Sequence, residues 1–143
     1  MTWAPPPVIH PQASRQVGDC AILALAVLTG HAYEDVLAAA SNLAHAPHRS
    51  GLYSTQIMRI AHAFDLMLRR RRVVDWETDC GILEMRCERN RVLTPCAHVT
   101  VLRDAIIVDA DEVWPDYDTF LSHYAATVSG ILVPMRSGTR RST

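Results

Sequence analysis

The chain has 143 residues, a mass of 15.9 kDa and a hydrophobic fraction of 49%, which suits one ordinary domain with a packed core. Fourteen basic residues, all of them arginine, oppose 15 acidic ones, so the formal net charge is −1. This balance argues against a protein that binds nucleic acid mainly through an overall positive charge. A chain without lysine also has no catalytic lysine and forms no Schiff base through one.

The two ends of the chain differ from its middle. Residues 1–15 are expected to form an irregular lead-in, because their prolines interrupt helices and strands. Residues 16–135 are predicted to be one domain, followed by a flexible, polar and basic tail over residues 136–143. The chain start lacks the features of a secretory signal, and the longest apolar run, residues 21–28, is much shorter than the ~20 residues that span a bilayer. We therefore expect a cytoplasmic protein that binds neither a membrane nor nucleic acid.

Three helices are predicted in the first half of the chain. The first begins after Asp19, a residue type that caps helix N-termini, and ends at Gly30. Because this helix is apolar on every face, it should be buried at the centre of the domain. A second helix over residues 33–43 and a third that begins at a cap, Ser54 or Thr55, each carry one apolar stripe.

The second half of the sequence has the periodicity of β-strands, with one short helix. Strands are expected within residues 66–74, around Val92 and Leu93, over 98–102, over 105–109 and over 128–135, and the helix over 116–124. Helices followed by antiparallel strands are typical of the α+β class.

Cys20 is the candidate nucleophile. It would lie in the first turn of the buried helix, where unpaired backbone N–H groups and the helix dipole favour a thiolate. A helix end contributes only ~0.3–1 kcal/mol, which is less than the ~1.4 kcal/mol of one pKa unit. A thiolate at neutral pH therefore needs a nearby cation, and an imidazolium is the natural one. Without an export signal, the four cysteines are expected to be thiols.

The pairing of two adjacent strands selects His98 from the seven histidines. A two-residue loop at 103–104 would set His98 directly opposite Asp109, whereas a loop at 104–105 would make Asp109 diagonal to it and Asp111 opposite. In both registers a carboxylate shares the face of His98, where it can fix the imidazole tautomer and stabilise the imidazolium. The orienting acid is therefore expected to be Asp109, with Asp111 as the alternative.

Several segments resemble a known family. The run QVGDCAILALAVLTG (16–30), followed by YEDV (33–36), is similar to the nucleophile helix of papain-like cysteine peptidases. It is most similar to the small bacterial and phage branch related to bacteriocin-leader-processing (double-glycine) peptidases. The runs AHVTVL (97–102) and IVDAD (107–111) resemble the His and Asp strands of that branch, and the chain order Cys, His, Asp agrees. Residues 44–92 are unmatched.

The resemblance implies a papain-like α+β fold, in which a helical half carries Cys20 and an antiparallel sheet carries His98 and Asp109. It also implies that a glutamine ahead of the cysteine holds the oxyanion together with the Cys20 N–H. Gln16, four residues ahead, is the expected donor, and Gln12, eight residues ahead, is the alternative. The implied activity is cysteine-peptidase cleavage of a peptide or isopeptide amide in a peptide or protein substrate, without metal or organic cofactor.

Other interpretations remain open. The same triad serves acyltransferases, and a catalytically inactive papain-like module, encoded by a phage, would bind or inhibit a partner instead; the glutamine spacing favours the module. Cys80, Cys87, Cys96 and His98 suggest a zinc site, but they lack the short C-x₂₋₄-C pairs of structural zinc sites. The run Arg69–Arg72 is interpreted as a solvated face or a site for an acidic partner, since strand residues alternate between two faces.

Overall fold

The structure, a computed structural model, describes residues 19–43, 52–88 and 97–135. In these ranges the helices are α1 (Cys20–Thr29), α2 (Tyr33–Ser41), α3 (Ser54–His62) and α4 (Tyr117–Tyr124), and the strands are β1 (Leu68–Arg71), β2 (Cys80–Cys87), β3 (Ala97–Arg103), β4 (Ile106–Asp109), β5 (Glu112–Trp114) and β6 (Ala126–Pro134). Three helices precede the strands, and every strand pair in these ranges is antiparallel. The predicted α+β class is confirmed.

Some sequence predictions fall outside the described residues. These are the irregular lead-in over residues 1–15, the tail over 136–143 and the strand around Val92 and Leu93. The single domain over residues 16–135 also stays a prediction, because parts of that range lie outside the described residues as well.

The central helix is α1. Its residues Ala21 to Leu28 are all buried, because the helix packs on β3 and β2 on one side and on α2 and α3 on others. Gly30 ends it with a left-handed backbone, φ 78°, as predicted, and its N–H donates to the carbonyl of Ala26. Asp19 occupies the N-cap position, but its side chain does not cap the helix; it accepts a hydrogen bond from Tyr33 instead. No helix in the described part of the chain is long and apolar enough to cross a membrane.

The helices α2 and α3 pack on α1 with the predicted apolar stripes. The buried stripe residues are Tyr33 and Val36 with Ala40 in α2, and Ile57 and Ile60 with Ala61 in α3. The predicted cap of α3 is wrong, because the N-cap residue is Tyr53 rather than Ser54 or Thr55. The side chain of Gln56 accepts the N–H of Tyr53 at 2.8 Å, while the Ser54 hydroxyl donates to Glu84 of β2.

The six strands form one sheet in the order β1-β6-β2-β3-β4-β5. The sequence did not predict β2, which lies in the middle of this sheet, or the short edge strand β5. One face of the sheet packs against α1, α2 and α3, and its buried residues include Ile82, Val99, Val101, Val108 and Leu132. The other face packs against α4, and its buried residues include Leu83, Met85, Leu102, Ile107 and Ile131.

The β3–β4 hairpin has the second of the two registers considered above. Val101 pairs with Val108, so the connecting loop is Asp104-Ala105, with φ values of 54° and 67°. Two consecutive positive φ angles are typical of the hairpin turn that follows the twist of the strands. The register with the loop at 103–104 is wrong, and the physical reason is that the observed loop places Asp104, rather than Arg103, at the first of the two positive-φ positions, where aspartate is favoured.

The arginine run lies on and just after the edge strand β1. Nε of Arg70 lies 2.7 Å from Oε1 of the buried Glu84, and Arg71 forms an ion pair with Asp79. Gly130 of β6 makes room for the first contact, since a Cβ there would lie 3.1 Å from the Arg70 guanidinium. Two of the four arginines therefore neutralise carboxylates of the chain itself.

Candidate active site

Cys20 is the first residue of α1 and is half-buried against the central hydrophobic cluster. Its side chain forms a hydrogen bond with His98 of β3. The helix start brings the first backbone N–H groups and the positive end of the helix dipole to the same place. The sequence-predicted nucleophile and base are thus in contact.

His98 has a partner at each ring nitrogen. The residue is 7% exposed, and its Nε2 lies 2.7 Å from Oδ1 of Asp109. Because Asp109 engages Nε2, the nitrogen left for Cys20 is Nδ1. One ring therefore connects a thiol to a buried carboxylate, which is the geometry of a nucleophile, a base and an orienting acid.

The structure brings Asp109, not Asp111, to the histidine. Asp109 is the last residue of β4 and is 6% exposed. It pairs with Glu112 of β5, so Ala110 and Asp111 form the turn between these strands, and Asp111 is exposed there. The chain thus turns into the next hairpin before Asp111 can lie opposite His98.

Thr100 supports the end of this hairpin. Its hydroxyl donates to the carbonyl of Val108 at 2.6 Å, and both residues are buried. This side-chain bond lies beyond the last paired residues of β3 and β4, so it ties the strands together where His98 and Asp109 lie. Strand alternation places Thr100 on the same face as His98.

The pKa of His98 is raised from 6.5 to about 9. Burial has the largest effect and lowers this pKa, because it disfavours the charged ring. The hydrogen bonds to Asp109 and Cys20, together with the negative charges of both groups, raise it by more. Since the attraction between an imidazolium and a thiolate is mutual, the same contact favours the thiolate of Cys20.

A second buried carboxylate lies next to the nucleophile. Asp19 is 1% exposed, and its Oδ2 accepts a hydrogen bond from the hydroxyl of Tyr33 in α2 at 3.0 Å. Sequence reasoning missed this contact because Asp19 was interpreted as a helix cap, and nothing in the sequence pattern links it to a tyrosine on the next helix.

The oxyanion donors expected from the sequence are described only in part. Gln16 and its alternative Gln12 lie outside the described residues. The backbone N–H of Cys20 is described, and as the first N–H of α1 it points out of the helix end. The glutamine assignment therefore stays a prediction.

The zinc interpretation does not fit the positions of the cysteines. Cys80 and Cys87 are the first and last residues of β2, which separates them by roughly 20 Å at ~3.3 Å per residue. Two thiols that far apart cannot bind one ion. Cys96 lies outside the described residues, and the described part of the chain contains no group of three or more His, Cys, Asp or Glu that could hold a metal.

No family model, no curated protein and no solved structure matches this chain. The fold and the site by themselves define an α+β protein in which a helix-start cysteine meets a buried histidine–aspartate pair.

Proposed function

We propose that this protein is a thiol hydrolase of papain-like architecture, which cleaves a peptide or isopeptide amide with Cys20, His98 and Asp109. The observation that carries the proposal is the pair of hydrogen bonds made by the His98 ring, to the Cys20 side chain and to the Asp109 carboxylate. A histidine that only fills a core needs neither a nucleophile nor a carboxylate as its neighbour. Both are buried or half-buried here.

The distribution of the three side chains over the helices and the sheet supports the comparison with papain-like peptidases. Cys20 belongs to the central helix of the helical part, whereas His98 and Asp109 belong to adjacent strands of the sheet. The two parts meet where α1 packs on β3. A substrate carbonyl placed at this junction would reach the sulfur, the imidazole and the helix-start N–H groups together.

In the proposed mechanism the imidazolium of His98 stabilises the Cys20 thiolate, whose Sγ attacks the carbonyl carbon of the amide. The Cys20 N–H and the side chain of Gln16 or Gln12 hold the resulting oxyanion. His98 then gives its proton to the leaving amine, which leaves an acyl-enzyme. A water molecule attacks this thioester while His98 takes up its proton; the C–S bond breaks, which releases the carboxylate product and restores the Cys20 thiolate beside the His98 imidazolium. Asp109 keeps the ring oriented in both steps.

The test compares Cys20→Ala with Cys80→Ala, since both thiols are half-buried but only Cys20 touches His98. Each purified variant is incubated with a complex peptide library, and new termini are read by mass spectrometry. We expect cleavage by the wild-type chain and Cys80→Ala, and none by Cys20→Ala, with all three showing the same circular dichroism. Unchanged cleavage by Cys20→Ala would refute the assignment of the nucleophile.

The two alternatives give different outcomes in the same experiment. An acyltransferase using this triad transfers the acyl group to an added primary amine faster than to water, so amide products appear in place of free carboxylates. An inactive binding module produces neither product. It would also show slow alkylation of Cys20 at neutral pH, with a rate that rises only near the ordinary thiol pKa of ~8.5, because an unactivated thiol is mostly protonated below that pH.

A further inference from the structure

A second pair of buried side chains, Asp19 and Tyr33, lies next to the nucleophile. Asp19 and Tyr33 are 1% and 4% exposed, and the hydroxyl of Tyr33 donates to Oδ2 of Asp19 at 3.0 Å. A carboxylate so deeply buried is unfavourable unless it is compensated, and it does not act as the side-chain cap of α1. Because Asp19 directly precedes Cys20, its carboxylate can instead affect the protonation of the Cys20 thiol.

We propose that Asp19 and Tyr33 are positioning residues that set the protonation of the Cys20 thiol: the Asp19 carboxylate disfavours the thiolate, and the Tyr33 hydroxyl weakens that effect. The chemical consequence rests on the proposed function, in which this thiol is the nucleophile. With this pair present, the protonated fraction of Cys20 would be larger than it would be if His98 were its only charged neighbour. The pair would thus restrain a nucleophile that could react without substrate.

The physical basis is that two groups with the same charge when ionised belong to adjacent residues. Adjacent residues have Cα atoms ~3.8 Å apart, and in a buried site a unit charge at about 7 Å shifts a proton equilibrium by on the order of one pH unit. A hydroxyl that donates to the carboxylate draws part of its charge away from the thiol. Removing the charge and removing the hydroxyl should therefore act in opposite directions.

The other groups around Cys20 do not replace this effect. The titratable groups that contact Asp19 or Cys20 include Tyr33 of α2 and His98 of β3, whose other partner is Asp109 of β4. His98 supplies the positive charge that favours the thiolate, whereas the Asp19 carboxylate belongs to the residue directly before the thiol and has the opposite effect.

The experiment measures the rate of iodoacetamide alkylation at Cys20 between pH 4 and 10, in the full chain, with each cysteine read separately by mass spectrometry. Asp19→Asn removes the charge but keeps an acceptor for Tyr33, and Tyr33→Phe keeps the charge but removes the donor. We expect the midpoint of the rate profile to fall by roughly one pH unit in Asp19→Asn and to rise in Tyr33→Phe. Asp35→Asn, an exposed carboxylate in the first turn of α2, is the control and should leave the profile unchanged.

A purely structural role would loosen the start of α1 in both variants and move both profiles in the same direction. Shifts of equal sign, or no shift in either variant, overturn the inference. If Asp19→Asn does not fold, the sign of the Tyr33→Phe shift decides alone. The proposed function fails separately, when the alkylation rate of wild-type Cys20 rises only near the ordinary thiol pKa of ~8.5.

Discussion

Oδ1 of Asp109 lies 2.7 Å from Nε2 of His98, although these two residues are not paired across the hairpin. The last pairs of the β3–β4 ladder include Val101 with Val108, so the contact runs diagonally between the strand ends. Only the side chains make this contact. The carboxylate can therefore be changed without disturbing the backbone ladder.

Asp109→Asn should lower kcat/KM for peptide cleavage by about tenfold or more, because the amide oxygen can still accept the hydrogen bond of the ring but the neutral side chain no longer stabilises the imidazolium. Asp111→Asn is the matched control, since Asp111 is exposed in the turn that follows, and it should retain wild-type activity. Steady-state kinetics of both variants on one cleaved peptide measure the difference. Equal losses in the two variants would contradict the role given to Asp109.

The raised pKa of His98 predicts how stability changes with pH. The folded-state pKa of about 9 exceeds the ordinary value of 6.5, so the folded chain binds this proton more tightly than the unfolded chain does. The stabilisation is fully present below pH 6.5 and is lost as the pH rises through 9. At ~1.4 kcal/mol per pKa unit it amounts to at most about 3 kcal/mol, since a folded-state thiolate at Cys20 releases a proton and offsets part of this dependence.

Urea unfolding at several pH values between 6 and 10 measures this loss in the free energy of unfolding. The His98→Asn variant should lack it, whereas His123→Asn should keep it, because His123 is exposed on α4. The wild-type slope also contains the proton that a folded-state thiolate at Cys20 releases, so the difference from His98→Asn is the measure of His98. A slope unchanged in His98→Asn would contradict the raised pKa of His98.

The sequence predicts the helical half of the fold well, because each helix has one clear signal. Eight consecutive apolar residues mark α1 as buried on all sides, and Gly30 marks its end. In contrast, β2 was not predicted, because a central strand is covered on both faces and its apolar and polar residues do not alternate. Its Leu83, Glu84 and Met85 are all buried, and the charged residue among them finds its partner only in the folded chain.

The candidate site could be predicted as a set of residues but not as a geometry. Chain order and strand pattern select Cys20, His98 and Asp109, yet the register depends on one residue in the turn. The apolar run 105–108 gives a consistent core face for either loop, so hydrophobic pattern does not distinguish them. The Asp19–Tyr33 contact depends on how α2 packs on α1, which no local pattern encodes.

The Arg70–Glu84 pair should contribute to the stability of the sheet edge. Glu84 is 8% exposed and accepts hydrogen bonds from Arg70 and Ser54, so it links α3 and β1 to the central strand. Glu84→Ala should lower the free energy of unfolding by about 2–4 kcal/mol, and Arg70→Ala by less, because a half-exposed arginine leaves its partner within reach of water. Arg69→Ala, on the same strand and exposed, should change it by less than ~0.5 kcal/mol.

A double-mutant cycle with Glu84→Ala and Arg70→Ala measures the coupling of the pair by urea unfolding, and we expect on the order of 1–2 kcal/mol. Additive effects would mean that Glu84 is held by Ser54 rather than by Arg70.

The turn of the β3–β4 hairpin offers a test of the register itself. Ala105 has φ 67°, which costs a residue with a Cβ about 1–2 kcal/mol and costs glycine nothing. Ala105→Gly should therefore raise the free energy of unfolding by about 0.5–1 kcal/mol and the Tm by a few degrees. The same change at Ala38, exposed inside α2, should lower the stability by ~1 kcal/mol.

The sign of the Ala105→Gly effect distinguishes the two registers. With the loop at 103–104, Ala105 would be a strand residue, and glycine there would destabilise the hairpin. Thermal unfolding followed by circular dichroism is sufficient to determine the sign of the change in Tm. A lower Tm would contradict the positive φ, and with it the diagonal contact that brings Asp109 to His98, because that contact depends on the loop at Asp104-Ala105.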